Sequence, residues 1–281
     1  MKFKSLFQKI AGGKGTNRQP VQPPVLGSAI RFPYGAFKFK ARLASGIAYE
    51  IEATTNLTAW TSISTDTSLG EIDYVDANAA KFGHRFYRLN VDGVFSTNVI
   101  GYATITLPPG FSMIANPLEA MDNSVAELFK GMPEGTTLSR FDTRLSHLTE
   151  NAVKLGKWTN PTEKILPGEG AMFFNPTSDY KNLNFVGEVK QGKFSTPIPA
   201  GFSIRSSSLP QPGRLDTDLG FPADEGDVIH LFDRDRQKYV LYPYDAAVWV
   251  SNPPVVSVGE SFWVAKKSPK NWIRSFSVTE Q

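Results

Sequence analysis

The chain has 281 residues, 41% of them hydrophobic, with 23 glycines and 20 prolines. That length suits two or three small domains, and turns this frequent favour sheets over helices. Its formal charge of +3 is concentrated at one end: residues 1–24 hold Lys2, Lys4, Lys9, Lys14 and Arg18 and no acid, which leaves 25 basic residues against 27 acidic ones elsewhere. A nucleic-acid-binding body would present a basic face, so nucleic acid is not expected as a partner. With no cysteine, a disulfide framework and a thiolate metal site are both excluded. No apolar run is long enough to span a membrane, and the first residues lack the apolar core of a secretory signal. The expected location is cytoplasmic or peripheral to a membrane, with the cell surface by a non-standard export route as the alternative.

In chain order, residues 1–10 come first. At 100° per residue Phe3, Leu6, Phe7 and Ile10 fall on one stripe about 100° wide, with Lys2, Lys4 and Lys9 outside it. This predicts a basic amphipathic helix that docks on a membrane surface or in a partner's groove. Such a short helix is marginal alone and needs that partner to form. Gly12-Gly13 end it, and KGTNRQPVQPPVL reads as an extended linker reaching residue 27.

Residues 28–106 read as a β-sandwich. AFKFKARL (36–43) and IAYEIEA (47–53) alternate, and further strands are expected at Trp60–Ser64, Glu71–Tyr74, 85–91 and 94–106. Asp92-Gly93 between the last two is a hairpin signal.

The segments YEIEATTNLTAWTSI and YVDANAAKFGHRFYRL then show a resemblance. Tyr49, Asn56, Leu57, Trp60, Asp76, Phe86, Tyr87 and Arg88 carry a pattern similar to the immunoglobulin-like or fibronectin-like modules of large secreted proteins of planctomycetes and verrucomicrobia. The resemblance implies an Ig-like sandwich in which the Trp and Tyr are mostly core.

The rest of the chain repeats itself. LPPGFSMIANPL (107–118) returns as IPAGFSIRSSSL (198–209), and EGTTLSRFD (134–142) returns as EGDVIHLFD (225–233). The shift is 91 residues, from Gly110 to Gly201, and it also pairs Trp158 with Trp249, Gly168-Glu169 with Gly259-Glu260, and Phe185 with Phe276. A constant ungapped shift predicts an internal duplication: two small, mainly β modules at 107–197 and 198–281. The first is expected to hold one short helix, SVAELFKG (124–131), capped by Asn123. The repeat resembles one found in surface-associated and secreted proteins of the same bacterial phyla, which implies an architecture and no reaction.

Little in the chain points to chemistry. His84, His147 and His230 are scattered, and no phosphate-cradling glycine loop occurs; GGKGTN (12–17) reads as linker. Glu169 and Glu260 recur in both copies, and two equivalent Glu in separate modules read as satisfying turn amides rather than as a glycosidase pair. Asp142 and Asp233 read as turn formers. In DRDRQKY (233–239) the Asp233, Asp235 and nearby Asp227 carboxylates are interleaved with Arg234 and Arg236, which suits a solvated hairpin tip better than calcium. Of the five tryptophans, Trp272 is the one expected at the surface, because Lys266, Lys267, Lys270 and Arg274 surround it. No catalytic residue, cofactor or metal is therefore expected. The function read from the sequence is a non-enzymatic structural or accessory subunit, docked through residues 1–10 onto a larger protein assembly or a membrane. The alternative is a carbohydrate-binding or adhesive surface protein with a glycan as ligand.

Overall fold

A computed structural model describes residues 22–279 of the chain. The predicted helix and docking residues Lys2, Phe3, Lys4, Leu6, Phe7, Lys9 and Ile10 lie outside the described residues. The described part is nearly all β, with 23 strands, a single α-helical turn at Val125–Leu128 and one 3-10 turn at Ala77–Lys81. No helix in it is long and apolar enough to cross a membrane.

Two sheets share the first core. Strands Val25–Arg31, Phe37–Arg42 and Glu71–Asp76 form a three-stranded antiparallel sheet. Strands Ala48–Thr54, Thr61–Thr67, His84–Val91 and Ile100–Leu107 belong to a six-stranded one. Alternation does the sorting: Phe37, Phe39 and Ala41 point inward from one sheet and meet Ile51, Ala53, Tyr87, Leu89 and Tyr102 from the other. Asp92 (φ 52°) and Gly93 (φ 83°) both adopt left-handed backbone, as a two-residue type I′ hairpin requires, and Val91 pairs directly with Val94 across it. The first strand starts at Val25, inside the stretch read as linker. Prolines at 20, 23 and 24 hid it, but after Pro24 the chain is free to join a ladder.

Two further five-stranded sheets follow. In one the order is Gly110–Ile114, Ala171–Asn175, Thr137–Asp142, His147–Lys154, Lys157–Trp158; in the other it is Gly201–Ser206, Ser261–Lys266, Val228–Asp233, Lys238–Asp245, Val248–Trp249. The orders match, and so do the registers at a shift of 91: Leu138 faces Phe173 as Ile229 faces Val264, and Phe111 faces Phe174 as Phe202 faces Ala265. The two cores correspond as well, with Trp158, Ile165 and Phe173 in one and Trp249, Val256 and Val264 in the other.

The shift changes at the last strand of each set. Leu183 sits opposite Ile105, whereas Trp272 sits opposite Thr196, a shift of 89. The cause is a loop shortened by two residues, from 176–180 in one set to 267–269 in the other. Phe185 therefore corresponds in pairing to Arg274 and not to Phe276. Pairing also crosses the expected boundaries. Strand Lys181–Glu188 joins the six-stranded sheet through Ile100–Leu107, and strand Gly192–Ile198, which runs across the expected boundary between 197 and 198, pairs with Lys270–Phe276.

Two local expectations are corrected. The helix is a single turn, and its N-cap is Ser124, not Asn123. The Asn123 carboxamide is engaged elsewhere: its Oδ1 accepts from Ala120 N–H (3.0 Å) and from Asn116 Nδ2 (2.8 Å). Trp272 is only 1% exposed, and its Nε1 donates to the Leu219 carbonyl (2.8 Å). It occupies an inward position on strand Lys270–Phe276, where side chains alternate between faces, so cationic neighbours in sequence say nothing about its own side. Lys266, one of those neighbours, is itself buried.

Candidate functional site

The two five-stranded sheets meet edge to edge, and the contacts come in reciprocal pairs. Ala115 N–H donates to the Gly259 carbonyl (2.8 Å), and Ser206 N–H donates to the Gly168 carbonyl (3.2 Å). Ile114 bridges Glu260 as Arg205 bridges Glu169. Each of these pairs maps onto the other by the 91-residue shift, so the joint is built as an approximate two-fold. Here the two recurring glutamates find their role. Glu169 Oε2 accepts from Leu166 N–H and Glu260 Oε2 from Ser257 N–H, each at 2.9 Å, which closes the two turns that reach across.

Beside this joint lies an open cleft of about 610 Å³. Its lining residues Phe141, Met172, Tyr239 and Trp263 pack against a small buried apolar cluster of Met113, Ile204 and Phe232. Trp263 is the centre of the wall: Phe141 meets it edge-on at 4.9 Å and Phe202 at 6.2 Å. Its Nε1 donates to the Tyr239 hydroxyl (3.0 Å), which fixes the indole. His230 stands edge-on to Phe202 at 5.8 Å. Burial holds the His230 pKa below the usual imidazole value and lifts that of Tyr239 above the usual phenol value, so both are neutral near pH 7. Phe202 is 51% exposed and Leu148 is 44% exposed, which leaves an apolar rim in contact with solvent. Among the described residues the lining carries no carboxylate.

No protein-family model matches this chain, and no curated protein matches it.

Trp272, the aromatic expected at the surface, lies in a core rather than in this cleft. His230 was indistinguishable from an isolated strand histidine. Phe141, Phe202, Tyr239 and Trp263 come from three strands and a neighbouring sheet, so no local spacing announces them. A signal was present at positions where the segments related by the 91-residue shift differ: Met172 against Trp263, Leu148 against Tyr239, and Ser146 against Gln237. The other candidate groups have ordinary partners. Asp233 Oδ1 accepts from Asp235 and Arg236 N–H, and Asp142 Oδ1 from Arg144 and Leu145 N–H, as Asx turns at hairpin tips. Among the described residues no three acidic or histidine side chains gather as a metal site would need. His84 Nε2 lies 3.0 Å from the Thr55 carbonyl.

Proposed function

We propose that the chain is a non-enzymatic accessory subunit: an Ig-like β-sandwich followed by two copies of one β module, whose inter-module cleft receives a ligand or partner. The observation that carries this reading is the aromatic cleft itself. It is a concave apolar surface with a few convergent polar groups, the composition of a binding site. Among the described residues its ionisable side chains are His230 and Tyr239, both uncharged near neutral pH, which suits recognition better than proton transfer. The matching strand orders and registers support the two-copy reading, and the shared core of the first two sheets supports the sandwich. Residues 1–10, with the stripe Phe3, Leu6, Phe7 and Ile10 and the cations Lys2, Lys4 and Lys9, would tether the subunit to its assembly or membrane. A glycan is the second candidate ligand, favoured by the exposed ring of Phe202 beside Trp263, since aromatic faces pack well against sugars.

The test separates tail from cleft, using the native protein purified with whatever associates with it. The double variant F202S/L148S alters two exposed side chains, so its stability should change by no more than about 1 kcal/mol. Its retained partner should nevertheless fall about tenfold, the cost of losing well-desolvated anchors. Deletion of residues 1–12 should leave the melting temperature unchanged and abolish association with the assembly or membrane. If the cleft variant keeps its full complement of partner, the cleft is not the binding surface. Binding of the wild type to a glycan array, lost in the same variant, would select the adhesive reading.

A further inference from the structure

The approximate two-fold at the joint has two sides, and only one is closed. On the closed side the hairpin tip of the second sheet reaches the edge strand of the first. Phe111 N–H donates to Gln237 Oε1 (2.7 Å), and Gln237 Nε2 donates to the Phe111 carbonyl (2.9 Å). One primary carboxamide thus satisfies both main-chain groups of one edge residue. Beneath it Gly110 has φ 86°, and a Cβ there would stand 2.7 Å from Gln237 Oε1.

On the other side the counterpart of Gln237 is Ser146. The backbone repeats faithfully, with φ 53° at Ser146 and 51° at Gln237. The serine side chain has no carboxamide and stops short. Its target is the counterpart of Phe111, which is Phe202. Ser206 N–H points away from its own sheet to reach Gly168, and alternate residues of an antiparallel edge strand point the same way, so Phe202 N–H and C=O also face outward. Among the described residues neither has a partner there. Gly201 keeps the left-handed conformation of Gly110 (φ 81°), but a Cβ on it would meet nothing within 4 Å. The vacated space is the cleft, with Ser146, Gly201 and Phe202 at its mouth.

From this we infer that the cleft recognises a primary carboxamide: the glutamine side chain of a partner polypeptide, seated on Phe202 as Gln237 is seated on Phe111. The inference deepens the binding reading above and rests on it. The chemistry follows from the geometry of the filled twin. A primary amide carries an acceptor and a donor side by side, so it can take the Phe202 N–H and give to the Phe202 carbonyl at once. A trans secondary amide holds these groups on opposite sides and cannot. A carboxylate can accept but has no proton to give. The rings of Phe202, Trp263 and Phe141 then cover the apolar residues that flank the glutamine, and Tyr239 and His230 close the far wall.

The experiment is a titration of the full-length protein, labelled with 15N, with the capped peptide acetyl-Leu-Gln-Leu-N-methylamide. Its glutamine is the only primary carboxamide, and the Phe202 amide resonance is the reporter. A saturable shift of that resonance is expected. The same peptide with glutamate should bind about tenfold more weakly at pH 7, because one main-chain bond is lost and the carbonyl is left unpaired. The variant S146Q should rebuild the missing clamp in cis, slow solvent exchange of the Phe202 amide and abolish the response. Q237S should open the twin site and make the Phe111 amide respond. The assignment is overturned if the glutamine peptide gives no saturable shift, if the glutamine and glutamate peptides bind alike, or if S146Q leaves the titration unchanged. A protein that loses its native partner in F202S/L148S yet ignores the glutamine peptide would keep the binding reading and lose the carboxamide.

Discussion

Replacing Asp227 with alanine will destabilise the protein by about 3–5 kcal/mol, because it strands a buried cation. The Lys266 side chain is fully buried, and its ammonium group contacts the equally buried Asp227 Oδ2. Asp227 has further duties: Oδ2 accepts from Asp224 N–H (2.7 Å), and Oδ1 accepts from Lys267 N–H (2.9 Å). Without the carboxylate, Lys266 keeps only the Pro222 carbonyl (2.9 Å) and the partly exposed Asp224 (2.8 Å). Two backbone amides lose their acceptor at the same time. The corresponding positions of the other sheet hold Thr136 and Asn175, both buried and neutral. Copying them in the double variant D227T/K266N should therefore recover a large part of the loss, since a buried pair replaced as a unit leaves no orphaned charge. The midpoints of urea unfolding for the wild type, D227A and D227T/K266N give the comparison. A D227A midpoint equal to wild type would mean that Lys266 finds water or another anion.

Arg88→Ala should be comparably severe, about 3–5 kcal/mol, and it acts at a different buried pair. Arg88 is 5% exposed. Its Nε donates to Glu52 Oε2 (2.6 Å), and its Nη1 to the Val278 carbonyl (3.1 Å). The guanidinium also lies over two rings, 4.2 Å from the centroid of Trp60 and 3.8 Å from that of Phe95. Among the described residues truncation would leave the buried Glu52 carboxylate with the Asn90 Nδ2 donor alone (2.9 Å), and it would open a void between the rings. Lysine should rescue little, because an ammonium can neither stack as a plane nor bond Glu52 and Val278 from one rigid fork. Because Val278 belongs to the chain's far end, the variant should also raise hydrogen exchange near residues 276–279. If exchange there stays at the wild-type rate while stability falls, Arg88 acts through Glu52, Trp60 and Phe95 and not through the Val278 carbonyl.

The all-β class was legible in the sequence because alternation is local: Phe37, Phe39 and Ala41 state their own side of a sheet, and Asp92-Gly93 states its own turn. The 91-residue shift read in the sequence also relates the strand orders and registers of the two five-stranded sheets, since a strand's pairing is carried by the residues along it. What the sequence could not place depends on which edges remain free once sheets have formed. The pairing of Gly192–Ile198 with Lys270–Phe276 is such a case, as is the addition of Lys181–Glu188 to the six-stranded sheet. Trp272 and Lys266 follow the same logic, for their burial is decided by the face they share with distant strands and by a partner, Asp227, 39 positions away. The cleft is the clearest instance. Ser146 and Gln237 are unremarkable polar residues at two hairpin tips. Only the tertiary fold sets each tip against the edge strand of the other sheet, where a side chain two atoms longer, ending in a carboxamide, closes one side and its absence leaves the other open.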